Sequence, residues 1–142
     1  MGIAATESGD LERGQKNLEI AYAYVPNNAE INFALANLWL NKNDRDKAKQ
    51  FYRHTIELDP RHAGAWNNLG VMAMREGRWD LADRFLSASL GSEPEDAKTW
   101  YLLAKVKREK HDLPAARGAL DRALKLKKDQ PEFRALQDEL GP

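Results

Sequence analysis

The side chains able to carry chemistry are few and scattered. The 142 residues include three histidines, His54, His62 and His111, and no cysteine. No two of the histidines stand at i, i+4, so no helix face presents a pair of metal-binding imidazoles. Thiolate zinc sites, disulfides and cysteine nucleophiles are absent together. Ser87, Ser89 and Ser92 lie close in sequence, but no histidine stands at a spacing that would activate them, and they read as packing and turn residues. The glycines are isolated rather than gathered into a phosphate-cradling loop. Asp44, Asp46, Asp80 and Asp112 fall at or near the start of helical stretches, where a carboxylate caps free N–H groups and complements the helix dipole. The expectation is a segment with no catalytic centre, no metal and no cofactor: not an enzyme.

Charge and hydropathy narrow the partners. Lysine plus arginine number 22 and aspartate plus glutamate 22, so no global field attracts a polyanion, and nucleic acid is not expected. Mean hydropathy is -0.70, and the longest apolar stretches, such as residues 20–25, fall far short of a bilayer span. No basic segment followed by an apolar core opens the chain. A soluble segment without membrane contact of its own is expected, its compartment left open with the cytoplasm slightly favoured.

The elements that position these residues emerge from a repeat. Pro26, Pro60 and Pro94 are 34 residues apart, and so are Ala29, Ala63 and Ala97; Leu35, Leu69 and Leu103; and Ala48, Ala82 and Ala116. Within one period, Trp66, Leu69, Gly70 and Ala73 follow the i, i+3, i+4, i+7 stripe of a helix face, and Leu81, Ala82, Phe85, Leu86 and Leu90 form a second stripe. Gly77 supplies a turn between them, and the proline that closes each period blocks further helix. Each period therefore predicts a helical hairpin.

These columns resemble the tetratricopeptide repeat, whose pattern runs W-x2-L-G-x2-Y, A-x3-F, P. The unit at 63–96 carries Trp66, Leu69, Gly70, Ala73, Ala82, Leu86 and Pro94 in those places. The unit at 29–62 carries Asn32, Leu35, Ala36, Trp39, Ala48, Tyr52 and Pro60, and that at 97–130 carries Trp100, Leu103, Ala104, Lys107, Ala116, Leu120 and then Lys128 for the proline. The resemblance implies an all-α fold, a right-handed α-solenoid of antiparallel helix pairs, forming a single domain over 1–142. A half repeat at 9–28, with only its second helix, precedes the three units, and a solubilising helix at 131–140 with Phe133, Leu136 and Leu140 on one face follows them.

The function the family implies is a scaffold that binds another protein or peptide in a groove lined by the first helices. The stripe offset from the hairpin contact reads Phe33, Asn37 and Leu40, then Asn67, Asn68, Val71 and Met74, then Lys98, Tyr101, Lys105 and Arg108. It combines apolar anchors, amides able to hydrogen-bond a peptide backbone and cations able to receive an acidic group. The competing account has Phe33, Leu40 and Tyr101 pack on neighbouring repeats. Chaperone-binding members clamp a terminal carboxylate with lysine, asparagine, asparagine, lysine and arginine; Asn37, Asn68 and Lys98 match, whereas Phe33 and Leu102 replace cations. Lys105 and Arg108 stand near enough to substitute.

Two alternatives come from other classes. The open apolar face of the half repeat, with Leu11, Leu18, Ala21, Tyr22 and Val25, offers self-association, which would make the chain an assembly element. The repeats would equally serve as the non-catalytic part of a larger enzyme. RNA-reading helical repeats need a basic face and a repeated base-reading pair, which this neutral chain does not carry.

Overall fold

The computed structural model describes the backbone of residues 2–141 and the side chains of residues 9–141. Among the described residues all regular structure is helical. The order is α1 (Gly2–Tyr24), α2 (Ala29–Asn41), α3 (Arg45–Leu58), α4 (Ala63–Arg75), α5 (Trp79–Ser92), α6 (Ala97–Glu109), α7 (Leu113–Leu126) and α8 (Pro131–Leu140). The chain divides into two compact units, Met1–Pro60 and Arg61–Pro142. The first unit holds α1 and the hairpin α2–α3; the second holds the hairpins α4–α5 and α6–α7, closed by α8.

The hairpins begin and end where local chemistry dictates. Side-chain oxygens of Asn28, Asp44, Asp96 and Asp112 accept from the backbone N–H three residues on, at 3.0, 3.1, 3.4 and 3.2 Å. His62 does the same for α4 with its ring nitrogen, Nδ1 accepting from the Ala65 N–H at 3.1 Å. Each such bond satisfies one of the donors a helix start leaves open. Asp46 and Asp80 sit in first turns, complementing the dipole without capping.

The turn inside each hairpin is the same structure three times. The N–H groups of Asp44, Arg78 and Asp112 reach back five residues to the carbonyls of Trp39, Ala73 and Lys107, each at 2.9 Å. This six-residue closure demands a left-handed residue in its centre. Asn43, Gly77 and His111 hold it, with φ of 62°, 70° and 62°.

Small residues let the paired helices close. Ala36, Ala48, Ala82, Ala104 and Ala116 are wholly buried, and Gly70 is buried against Leu86. In the second unit Leu86, Leu90, Leu103, Val106, Leu120, Phe133, Leu136 and Leu140 share one core. Met72 and Val106, with Ala65 and Thr99, are also buried, a second packing face on the first helices beyond the single stripe read from sequence.

One element differs from expectation. The first helix does not start near Gly9 but runs unbroken from Gly2 to Tyr24. Gly9 stands two periods before Gly77, where hairpins turn, yet it lies inside the α-helix at a cost of about 1 kcal/mol relative to alanine.

Candidate peptide-binding face

The predicted stripe falls on first helices in both units, and each unit is considered by itself. In the first, Phe33, Asn37 and Leu40 lie along α2 and are half-buried. The Phe33 ring sits 5.9 Å from that of Tyr52, tilted by 55°. Tyr52 is fully buried, and its hydroxyl donates to Asn37 Oδ1 at 2.5 Å. The phenol of α3 thus reaches through the hairpin and fixes the carbonyl end of Asn37, one of the amides expected to meet a ligand.

In the second unit α4 carries Asn67, Asn68, Val71 and Met74, and α6 carries Lys98, Tyr101, Lys105 and Arg108. The structure brings these two helices together: Asn67 Nδ2 donates to Thr99 Oγ1 at 2.6 Å. Thr99 in turn donates to its own helix cap, Asp96, at 2.9 Å. Asn67 is therefore a tie between first helices as well as a half-buried member of the predicted stripe. Val71 and Met74 are half-buried, and Met74 packs against the core.

Tyr101 stacks on Phe133 of α8, the rings 4.9 Å apart and inclined by 29°. Burial, with the negative charge of Glu132 adding to it, raises the Tyr101 pKa and keeps the hydroxyl neutral. Lys105 Nζ lies over the same ring at 5.4 Å from its centre. Arg108 is paired with Glu139 of α8 and, at 3.4 Å, with Glu109. Lys98 is exposed and borders a cavity of about 240 Å³ that Glu132 and Phe133 also line.

Sequence reasoning missed the acidic side of this face. Glu132 and Glu139 stand one period after Lys98 and Lys105, so carrying the count one unit further would have placed them in the same stripe. It also missed a cluster joining α5 to α6, in which Asp83 accepts from Lys107 at 2.7 Å and Lys110 at 2.9 Å, while Lys110 pairs with Asp80 at 3.0 Å. Lys107 fills the pattern's tyrosine place, and that departure was the available signal.

The groups set aside earlier stay apart. His54 meets Glu57 at 3.3 Å, His62 caps a helix and His111 sits in a turn. Among the described residues no three histidine or acidic side chains gather as a metal site, and no helix is long and apolar enough to cross a membrane.

Successive hairpins of 34-residue period with small residues at the crossing points define an all-α helical-repeat protein. A family model described as tetratricopeptide repeat matches residues 5–70 and 73–140. The chain belongs to the tetratricopeptide repeat family, and its fold class is the α-solenoid of that family. It is similar to the type IV pilus assembly protein PilF of Pseudomonas aeruginosa, 26% identical over 133 residues, covering 92% of this chain and 53% of that protein. The chain thus spans about half the length of that relative. The solved structure of P. aeruginosa PilF superposes with a TM-score of 0.83 at 23% identity, covering 98% of this chain and 64% of that one. The type III secretion chaperone SycD of Yersinia enterocolitica, in complex with a peptide of the translocator YopD, gives 0.66 at 22% identity over 78% of this chain and 85% of that one. The first repeat domain of Spaghetti (RPAP3), bound to an HSP90 peptide, gives 0.74 at 15% identity over 79% and 89%.

Proposed function

We propose that this chain is a non-catalytic interaction scaffold whose first helices receive a polypeptide partner. The observation that carries the proposal is the face of α6, where Lys98 and Lys105 flank Tyr101 on a surface that stays partly open. The exposed Lys98 and the half-buried Lys105 beside a half-covered aromatic ring give an acidic or aromatic-bearing segment both a charge partner and an apolar anchor. Asn68, Val71 and Met74 on α4 extend the same face within the second unit, and Phe33, Asn37 and Leu40 provide the corresponding stripe on α2.

The related folds that hold peptides, SycD and the first domain of Spaghetti, support this reading. The carboxylate clamp is a poorer description of the site than a mixed face. Phe33 leans on Tyr52 instead of offering charge, and Arg108 already has Glu139 as its partner. Recognition then rests on Lys98, Lys105 and the aromatic surface between them.

The test is fluorescence anisotropy with a panel of labelled twelve-residue peptides that vary in acidic and aromatic content. Acid-bearing peptides should bind the wild type, and Lys98→Glu with Lys105→Glu should weaken them about tenfold or more, as loss of a charge-assisted contact implies. Peptides that bind unchanged to that double variant and to Phe33→Ala would move the site off the first helices and sink the proposal.

A further inference from the structure

Carried through the whole second unit, the receiving face is a set of three rows. Residues one period apart share a column: Gly64 with Lys98 and Glu132, Asn67 with Tyr101 and Ala135, and Val71 with Lys105 and Glu139. The α4 row is uncharged, and Met74 adds a thioether beside Val71. The α6 row is cationic through Lys98, Lys105 and Arg108, and the α8 row is acidic through Glu132 and Glu139. Each first helix is tied to the next, α4 to α6 by the Asn67–Thr99 hydrogen bond, and α6 to α8 by the Tyr101–Phe133 stack and the Arg108–Glu139 pair. A ligand that crosses these helices therefore meets an apolar, a basic and an acidic strip in that order.

None of these column positions is buried. The α6 row is the clearest case. A first helix flanks α6 on either side and α7 packs behind it, and Lys98, Tyr101 and Lys105 still reach solvent. Openness is thus a property of the columns, kept where every neighbouring helix is in place. Glu132, Ala135 and Glu139 are exposed in the same columns.

Resting on the reading of this face as a polypeptide site, we infer that the partner is an extended segment carrying an apolar, an acidic and a basic residue in that order. Packed helices lie about 8–10 Å apart and an extended chain advances about 3.3 Å per residue, so the segment crosses one row about every three residues. Its apolar side chain rests on Val71 and Met74, its carboxylate meets Lys98 or Lys105 beside Tyr101, and its cation meets Glu132 or Glu139. Ala135 stands between the two glutamates on α8, and its short side chain leaves room for a long basic one. A segment with acids alone meets like charge at α8, and one with bases alone meets like charge at α6; only the mixed segment satisfies both rows. Reversing the chain direction keeps the acidic residue in the middle, so the order is required either way.

The probes are labelled peptides of one length: an ordered one with leucine, aspartate and arginine at steps of three residues in a serine background, an exchanged one with aspartate and arginine swapped, and a doubly acidic one with aspartate in place of the arginine. Read by anisotropy on the whole chain, the ordered peptide should bind at least about tenfold tighter than the exchanged one, which has the same composition but sets arginine over the α6 cations. Glu132→Gln with Glu139→Gln should weaken the ordered peptide about tenfold and tighten the doubly acidic one about fivefold, an inversion that a loss of folding does not produce. Both effects should shrink toward about 0.3 M salt. Equal binding of the ordered and exchanged peptides would overturn the inference, as would glutamine variants that move the ordered and doubly acidic peptides in the same direction. So would self-association of the chain alone that the glutamine variants dissolve, since a second copy would then be the occupant. Lys98→Glu with Lys105→Glu separates this inference from the reading beneath it. If that change weakens acidic peptides while order has no effect, the receiving face stands and its three-row pattern falls; if it weakens none, the face itself falls.

Discussion

Gly70 and Leu86 touch so closely that a methyl group added to the glycine would lie 2.8 Å from both Cγ and Cδ2 of the leucine. Leu86 is fully buried, so it has no open space to move into. The next hairpin places Ala104 opposite Leu120, which shows that the fold accepts a methyl there when the pair is spaced for it. Two effects then compete in Gly70→Ala: about 1 kcal/mol gained from helix propensity and about 1–3 kcal/mol lost to overpacking. The variant should be less stable by about 1 kcal/mol in urea unfolding. In the Leu86→Ala background the same change should become stabilising, because the contact it strains is gone. A stabilising effect in both backgrounds would show that the hairpin is not in tight contact at this point.

The left-handed turn residue should obey a simple rule in all three hairpins. His111, with φ of 62°, pays the penalty that an ordinary L-residue pays there, whereas Gly77 pays none and the short amide side chain of Asn43 lowers it. His111→Gly should raise stability by about 1 kcal/mol, Asn43→Gly by only a few tenths, and Gly77→Ala should lower it by about 1 kcal/mol. Thermal melts of the three variants check the order, which fails if His111→Gly destabilises.

Much of this was legible because the repeat writes each structural demand several times. Pro26, Pro60 and Pro94, or Ala48, Ala82 and Ala116, need no coordinates to announce a hairpin of fixed length. What stayed hidden were contacts that depend on where side chains cross. Asn37 and Asn67 look alike in the stripe, yet Tyr52 holds one from across its hairpin and Thr99 meets the other from the next first helix. Gly9 shows a related limit: a glycine in turn register is also compatible with the interior of a helix, which is where it lies in α1.

Asn32 performs the task of a tryptophan. Trp100 donates from Nε1 to the Pro94 carbonyl at 2.7 Å, and Asn32, in the same column two periods earlier, donates from Nδ2 to the Pro26 carbonyl at 2.9 Å and to the Asn28 carbonyl at 2.8 Å. The side chain of Asn32 is fully buried, while the Trp100 bond lies where water can replace it. Asn32→Leu should therefore cost about 2 kcal/mol, and Trp100→Phe less than about 1 kcal/mol beyond any packing change. Equal losses in denaturant unfolding would show that the two bonds do not differ in access to water.

The Asp83 cluster should make the second unit acid-sensitive. Burial opposes the charge on Asp83, but hydrogen bonds from Lys107 and Lys110, with their positive charge, outweigh it and hold the pKa below its ordinary 3.8. A carboxylate with a lowered folded pKa contributes stability above the unfolded value. That contribution is lost as pH falls from about 4 through the lowered folded value. Asp83→Asn should cost about 1–2 kcal/mol at pH 7, because two ammonium groups lose their charge partner at a site only 13% exposed. Its stability should also change less than that of the wild type between pH 5 and the acid transition. An identical acid limb for the two proteins would remove Asp83 as the cause.

Glu139 and Phe133, both on α8, should separate binding from stability. Phe133 is buried and stacked on Tyr101, so Phe133→Ala should cost about 3–5 kcal/mol and release the end of the second unit. The Arg108–Glu139 pair leaves 30% of one side chain and 60% of the other exposed, and Glu139→Gln should change stability by less than about 0.5 kcal/mol. Its consequence lies in recognition. Glu139 stands one period beyond Lys105, so an acidic peptide on the α6 face approaches a like charge and finds Arg108 engaged. Removing that charge should tighten acidic peptides about three- to fivefold at low salt, and the gain should shrink toward 0.3 M salt as screening takes over. Tightening that persists undiminished in high salt would mean that Glu139 blocks the face by its bulk and not by its charge.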